Sequence, residues 1–358
     1  MSQVSAEKRT RVSRERGVTL ADIAKKVGVS KVTVSYVLNG RDSGIRISEK
    51  TRNQVLDVAR ELGYYPNALA RGLTRQRMDT FTLVMQSPSV FRGGSGFINA
   101  MMHGVVEAAN AVGFDVMLHT KAQPDTYAEM CSLTDGRADG SLLLRDREDP
   151  LLAALIRRGH PCVSIFSRPE APEAWCVDCD NIHGGQLATE YLLSLGHRRI
   201  GYIGGSRYSS AVEDRRAGYH AALAAVGLTP NPDWEASVTF AGGDFGAVIE
   251  MMKRPAGERP TAFFVWSDDV AAQMIRVLRQ HCGLQTPEDV SVIGFDGTEA
   301  VGEWGSFPRL TSVGQPIQEI ASSGVRLLIA RIQEESVAET RCLLTPTLVV
   351  RDSCANPA

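Results

Sequence analysis

The chain has no uninterrupted apolar run of about 18 residues, the length a membrane-spanning helix needs. Its first residues are polar and basic, where a secretory signal would carry an apolar stretch. These two absences predict a cytoplasmic protein with no membrane partner. Catalytic signatures are missing too. There is no GxxxxGK[ST] phosphate loop, no GxSxG nucleophile elbow, no HExxH and no paired zinc spacing, so neither an enzyme nor a cofactor is predicted. The seven cysteines are odd in number and scattered, the pattern of free thiols in a reducing compartment. Cys176 and Cys179 form a lone CxxC inside WCVDCDN, without a second pair or a histidine cluster, so metal binding is not predicted. No leucine-heptad tail follows Arg351, which argues against a tetramer built on such a tail.

Charge is present but unevenly placed. Residues 1–77 hold 16 Lys and Arg against 7 Asp and Glu, net +9, while the remainder carries net −11. A basic end neutralises phosphates and makes binding fall steeply with salt; an acidic bulk stays soluble and off the duplex. Within the basic end, residues 18–40 read VTLADIAKKVGVSKVTVSYVLNG. Leu20, Ile23, Ala24 and Val27 recur at helical spacing and make one apolar face, with Thr19 as N-cap. Gly28 ends that helix, and Ser30 caps a second one beginning at Lys31. Val34, Val37 and Leu38 point inward, leaving Lys31, Val32, Ser35 and Tyr36 outward. A short second helix with a free outer face suits major-groove docking, although periodicity alone also fits an ordinary helical hairpin. Thr51 to Leu62 reads as a third helix, with Val55, Val58, Ala59 and Leu62 packing under the other two.

Taken together, residues 18–77, with ISEKTRNQVLDVARELG running into YYPNALARGL, resemble the DNA-binding headpiece of the lactose-repressor (LacI/GalR) family of bacterial transcription regulators. The resemblance implies base reading by Lys31, Val32 and Tyr36, and phosphate contacts by Ser30, Thr33, Ser35 and Asn39. It also implies a hinge at 65–78 that enters the minor groove through Leu69, Ala70, Arg71 and Leu73, with Leu73 as the wedge that kinks the duplex. Many family members carry Arg or His where Tyr36 stands, so the operator sequence does not transfer. Residues 1–17, rich in Arg, Lys and Ser, read as a disordered basic arm ahead of a headpiece at 18–64.

Beyond the hinge, apolar runs such as FTLVMQ, FDVMLHT, GSLLLR, PCVSIF, RIGYIGG, TAFFVWS and VSVIGFDG alternate with amphipathic segments. That alternation predicts an α/β fold of doubly wound parallel sheets, with ligands at the carboxyl ends of strands. The phrases DNIHGGQLATEYLLSLGHRRIGYIGG, DRRAGYHAAL, PEDVSVIGFDG and LTSVGQPIQEIASSGVRLLIARI resemble the same family's effector domain, itself similar to two-lobed periplasmic sugar-binding proteins. By that resemblance 79–358 is an effector-binding and dimerisation domain, with one lobe at 79–180 and 311–337 and the other at 181–310 and 338–354.

Position by position, the resemblance places Arg215, Asp296, Phe245, Gln315, Phe97, Arg168, Ser267 and Trp266 at the effector. Ser267 departs from the family's usual Asn at that place and follows a bulky Trp266. Arg215 with Asp296 suits a polyhydroxylated ligand, because a guanidinium and a carboxylate are costly to bury otherwise. The expectation is therefore a homodimeric repressor whose affinity for double-stranded operator DNA is set by a small-molecule effector, a sugar or sugar derivative, with a nucleoside or purine as alternative. A solute-binding protein using the same two lobes without regulatory DNA binding is the competing class, and the basic headpiece argues against it.

Overall fold

The computed structural model describes residues 18–39, 47–65, 72, 77–85, 95–206, 209–238, 243–298 and 308–357, with only the backbone of Asn39. The arm at 1–17, the loop at 41–46, the Asn39 side chain and the hinge residues Leu69, Ala70, Arg71 and Leu73 lie outside the described residues. The chain divides into two compact units, Met1–Met78 and Asp79–Ala358.

In the first unit, α1 (Leu20–Val27) starts where Thr19 donates its N–H and hydroxyl to the Asp22 carboxylate, at 2.8 and 2.7 Å. It stops at Gly28, whose φ of 80° is a left-handed conformation that glycine adopts without strain, and whose N–H reaches the Ala24 carbonyl. Ser30 Oγ accepts the Thr33 N–H at 3.0 Å and so caps α2 (Lys31–Asn39). The third helix, α3 (Glu49–Glu61), begins two residues before the expected Thr51, because Ser48 is the cap and accepts the Thr51 N–H. Ile23, Ala24, Val34, Val37, Val55 and Ala59 are the shared core of the three helices.

The second unit is built on two six-stranded sheets. In the first lobe β1 (Thr80–Met85), β2 (Asp115–His119), β3 (Gly140–Leu144), β4 (Cys162–Ile165), β5 (Trp175–Cys179) and β11 (Arg341–Leu344) run parallel in the order β11-β5-β4-β3-β1-β2. Helices α4 (Gly96–Val112), α5 (Thr126–Leu133) and α6 (Pro150–Arg157) connect them. In the second lobe β6 (Ile200–Gly204), β7 (Glu235–Ser237), β8 (Ala262–Val265), β9 (Ser291–Asp296) and β10 (Thr311–Gly314) are parallel, and β12 (Thr347–Val349) closes the sheet antiparallel to β10. Its helices are α7 (Asn181–Ser194), α8 (Ser210–Ala225), α9 (Gly246–Met252) and α10 (Asp268–Val277). The last helix, α11 (Ile317–Ile332), packs on α4 in the first lobe.

Both faces of each sheet are covered. On β1, Phe81 and Leu83 enter one apolar cluster and Val84 another; on β8, Phe264 and Phe263 do the same. Each such side chain contributes roughly 1.5–3 kcal/mol by leaving water. The doubly wound α/β architecture is as expected. The lobe boundaries are not, since β10 was expected in the first lobe but pairs with β9 of the second, and β11 was expected in the second but pairs with β5 of the first. The chain therefore crosses between lobes after β5, after β10 and after β11, each time where a strand ends. Among the described residues no helix is long and apolar enough to cross a membrane.

Candidate functional site

Two surfaces follow from this framework. On the first unit, Lys31 and Val32 stand at the start of α2, both exposed, with Val32 at 58%. Ser30 is exposed but its hydroxyl is engaged with Thr33 at the cap; Thr33, Ser35 and Tyr36 are half-buried. The inward set Val34 and Val37 fixes which side of α2 faces out, so the outward face is a consequence of core packing.

On the second unit, the polar residues gather at the carboxyl ends of the strands. Arg215 reaches them because α7 and α8 touch backbone to backbone: a Cβ at Gly185 would land on the Arg215 main-chain oxygen, and one at Gly218 on the Ile182 oxygen. The Arg215 guanidinium is only 5% exposed. Its Nε donates to Asn181 Oδ1 at 2.9 Å, Nη1 donates to the Trp266 carbonyl at 2.5 Å, and Nη1 stands 4.0 Å from Asp296 Oδ1. Its carbon lies 3.5 Å from the Phe295 ring centre, a cation–π contact.

Asp296 ends β9 with φ 121°, an uncommon conformation for a residue with a side chain, and accepts Gln315 Nε2 at 2.7 Å. Burial pushes its carboxyl up to about 7, against the pull of Arg215 and the Gln315 amide. Asp178, on β5 of the first lobe, is likewise pushed up to about 7 by burial, opposed by the Cys179 N–H, the Arg215 charge and the Asn181 amide. Asn181 links Asp178 to Arg215: its Nδ2 donates to Asp178 Oδ1 at 3.3 Å while its Oδ1 accepts Arg215 Nε. Fully buried Asp268 accepts Ser312 Oγ at 2.6 Å and the Thr298 N–H at 2.8 Å. Burial and the neighbouring Asp296 charge raise its carboxyl well above the usual range.

Five expected site residues make other contacts. Ser267 is fully buried and caps α10, accepting the Val270 N–H at 3.3 Å, so its shorter reach serves the helix. Trp266 donates Nε1 to the Val238 carbonyl at 3.0 Å and lies against Gly205, where a Cβ would collide with the indole. Phe245 is 7% exposed and belongs to the second lobe's apolar core with Val248 and Met251. Arg168 pairs with Asp214 of α8 at 2.6 Å, joining the loop after β4 to the second lobe. Phe97, half-buried at the start of α4, meets Phe166 edge to face at 4.8 Å.

Three participants, Asp178, Asn181 and Asp268, were not expected. The only sequence signal for the first two is their place in WCVDCDN, Asp178 near the carboxyl end of a strand and Asn181 just after it, where polar residues are otherwise unexplained. At the end of β3, Arg145 pairs with Glu129 and, at 3.2 Å, with Asp149, a half-buried ion network that the sequence also did not disclose. Burial raises the Cys176 thiol to about 11 and the Cys179 thiol to about 12, which holds both in the unreactive protonated form.

Residues 19–67 match the family described as bacterial regulatory proteins, lacI family, and residues 189–354 match a periplasmic binding protein-like domain. The HTH-type transcriptional regulator CelR of Thermobifida fusca is 35% identical over 96% of this chain and 100% of its own length. A structure of a CelR–cellobiose complex has a TM-score of 0.68 at 33% identity, covering 94% of this chain and 99% of that one. The lac repressor dimer bound to operator and the anti-inducer ONPF has a TM-score of 0.80 at 25% identity, covering 95% of this chain and 100% of that one.

Proposed function

The chain belongs to the lacI family of bacterial regulatory proteins, and we propose that it is a cytoplasmic repressor whose grip on operator DNA is set by a sugar or sugar derivative bound between its two lobes. The observation that carries this reading is one chain holding both a basic helix-turn-helix with an outward α2 face and a buried guanidinium–carboxylate–amide set at strand ends. Lys31, Val32 and Tyr36 read base edges, with Ser30, Thr33, Ser35 and Asn39 on phosphates. Leu69, Ala70, Arg71 and Leu73 act in the minor groove, and a homodimer matches a near-palindromic operator.

At the effector, Arg215, Asp296 and Gln315 form the polar wall. A carboxylate accepts two sugar hydroxyls and a guanidinium donates to others, and both gain strength where water is excluded. The set is a binding set; the reading assigns it no catalytic step. CelR in complex with cellobiose supports the choice of a carbohydrate, with purines as the next class to test. Effector binding favours one arrangement of the lobes, which alters the spacing of the paired hinges and so the cost of seating them on DNA.

The test is operator binding measured across a salt titration, with and without cellobiose, ribose and purines. Salt-steep binding that one sugar shifts is the expected result. Duplex binding that is absent or insensitive to salt overturns the DNA-reading half; binding that no sugar or purine moves overturns the sensing half.

A further inference from the structure

The guanidinium of Arg215 is held in place by three neighbours. Nη1 donates to the Trp266 carbonyl at 2.5 Å and the Phe295 ring centre lies 3.5 Å from its carbon, both contacts within the second lobe. The third hold is Asn181 Oδ1, which accepts Nε at 2.9 Å and is, among the described residues, the one side-chain oxygen hydrogen-bonded to Arg215. Fixing Nε and Nη1 together sets both the plane and the direction of the fork, which a single hydrogen bond does not do.

Asn181 is not needed to start its own helix. It is the first residue of α7, but the cap of that helix is Asp180, which accepts the His183 N–H at 3.0 Å. The Asn181 amide is instead buried, with 2% exposure, and can face only one way: an arginine Nε only donates, so Oδ1 meets Arg215 and Nδ2 points back. There Nδ2 donates to the Cys179 carbonyl at 3.0 Å and to Asp178 Oδ1 at 3.3 Å, both on β5 of the first lobe. Asp178 Oδ1 is itself fixed by the Cys179 N–H at 2.8 Å. The link therefore spans the first crossing between the lobes, from β5 through the Asn181 amide to α8.

We propose that Asn181 is a positioning residue for the effector: its amide oxygen, backed by the first lobe, aims the Arg215 guanidinium into the cleft. This role rests on Arg215 being part of the effector's polar wall, as proposed above. It also makes the pose of Arg215 depend on the first lobe, because a shift of β5 against α7 moves the amide and, with it, the Nε that the amide holds. Without the Asn181 oxygen the fork keeps only its Nη1 hydrogen bond and can pivot about it.

Calorimetric titration of the full-length protein with cellobiose, ribose and hypoxanthine tests this. Whichever of the three binds the wild type is then titrated into Asn181→Leu, which is close to asparagine in size and has no polar atom, and into Asn181→Asp, which keeps the oxygen on Arg215 and loses the amide donor. Loss of a hydrogen bond to a charged group is expected to weaken binding about tenfold or more in Asn181→Leu. Asn181→Asp is expected to stay within about threefold of the wild type. Melting temperature is expected to rank the other way, with Asn181→Asp at or below Asn181→Leu, because it buries a second carboxylate beside Asp178. Affinities that follow the melting order overturn the proposal, as does wild-type affinity in Asn181→Leu. Should Asn181→Leu fail to fold, Asn181→Ser, whose hydroxyl is too short to reach Nε, replaces it with the same expected loss and the same refuting result. A wild type that binds none of the three overturns the sensing reading and this role with it, whereas a wild type that binds while the variants bind equally well overturns this role alone.

Discussion

Replacing Arg215 by alanine removes a cation that acts on both Asp178 and Asp296. The hydrogen bonds to Asn181 and to the Trp266 carbonyl go with it, and so does the contact with Phe295. Removing one member of a buried ion pair costs about 3–5 kcal/mol, because the remaining charge is stranded. Here the stranded groups have an escape. Both carboxyls already stand near 7 because of burial, so without Arg215 they rise further and take up protons.

In the wild type the folded value lies above an unfolded one of about 4, so folding binds protons between about pH 4 and pH 7 and stability declines as pH rises through that window. In Arg215→Ala the decline continues above pH 7. The gap between the two proteins therefore widens on the alkaline side, at up to about 1.4 kcal/mol per pH unit for each carboxyl still protonated. Urea denaturation of both proteins at pH 6 and pH 8.5 measures this, and adding Asp296→Asn to the variant is expected to narrow the gap at high pH. A gap that is the same at both pH values, or that narrows at high pH, would refute the electrostatic account of the cleft. In the same variant the effector response of operator binding is expected to vanish while basal binding persists.

Phe245→Ala is expected to lower unfolding stability by about 3–5 kcal/mol, as for a core aromatic, while the folded fraction keeps its effector affinity; a normal melting curve with lost affinity would return Phe245 to the cleft. Lys31→Ala is expected to relax operator preference at one base pair, worth about 1–3 kcal/mol, as read from binding to a set of single-base operator variants; uniform weakening across the set would make Lys31 a phosphate contact instead. Leu73→Ala is expected to weaken operator binding strongly and to leave effector affinity unchanged, and equal operator affinity in a gel-shift titration would remove the wedge from the mechanism.

What could be read from the chain and what could not divide along physical lines. The three headpiece helices were legible because their signals are local: Thr19, Gly28 and Ser30 act on backbone groups within four residues. Central strands β1, β3, β4, β6, β8 and β9 were legible as short apolar runs, whereas β5 and β10, also central, were not picked out. Edge strands β7 and β11 were not, being three and four residues long and only partly buried, with little alternation to detect. The site divides in the same way. Arg215, Asp296 and Gln315 were picked out and do meet.

Asp178, Asn181 and Asp268 were passed over because their roles exist only in three dimensions, where residues far apart in the chain converge. Ser267, Trp266 and Phe245 were picked out by position and hold local roles in the fold. A serine before an acidic helix start caps it, an indole N–H needs an acceptor when buried, and an aromatic beside Val248 and Met251 gains more by filling the core than by facing water. Position alone therefore overpredicts a binding site wherever a residue type has a strong local use. A buried guanidinium has no such local use, and for that reason Arg215 is the residue on which sequence position and structure bear together.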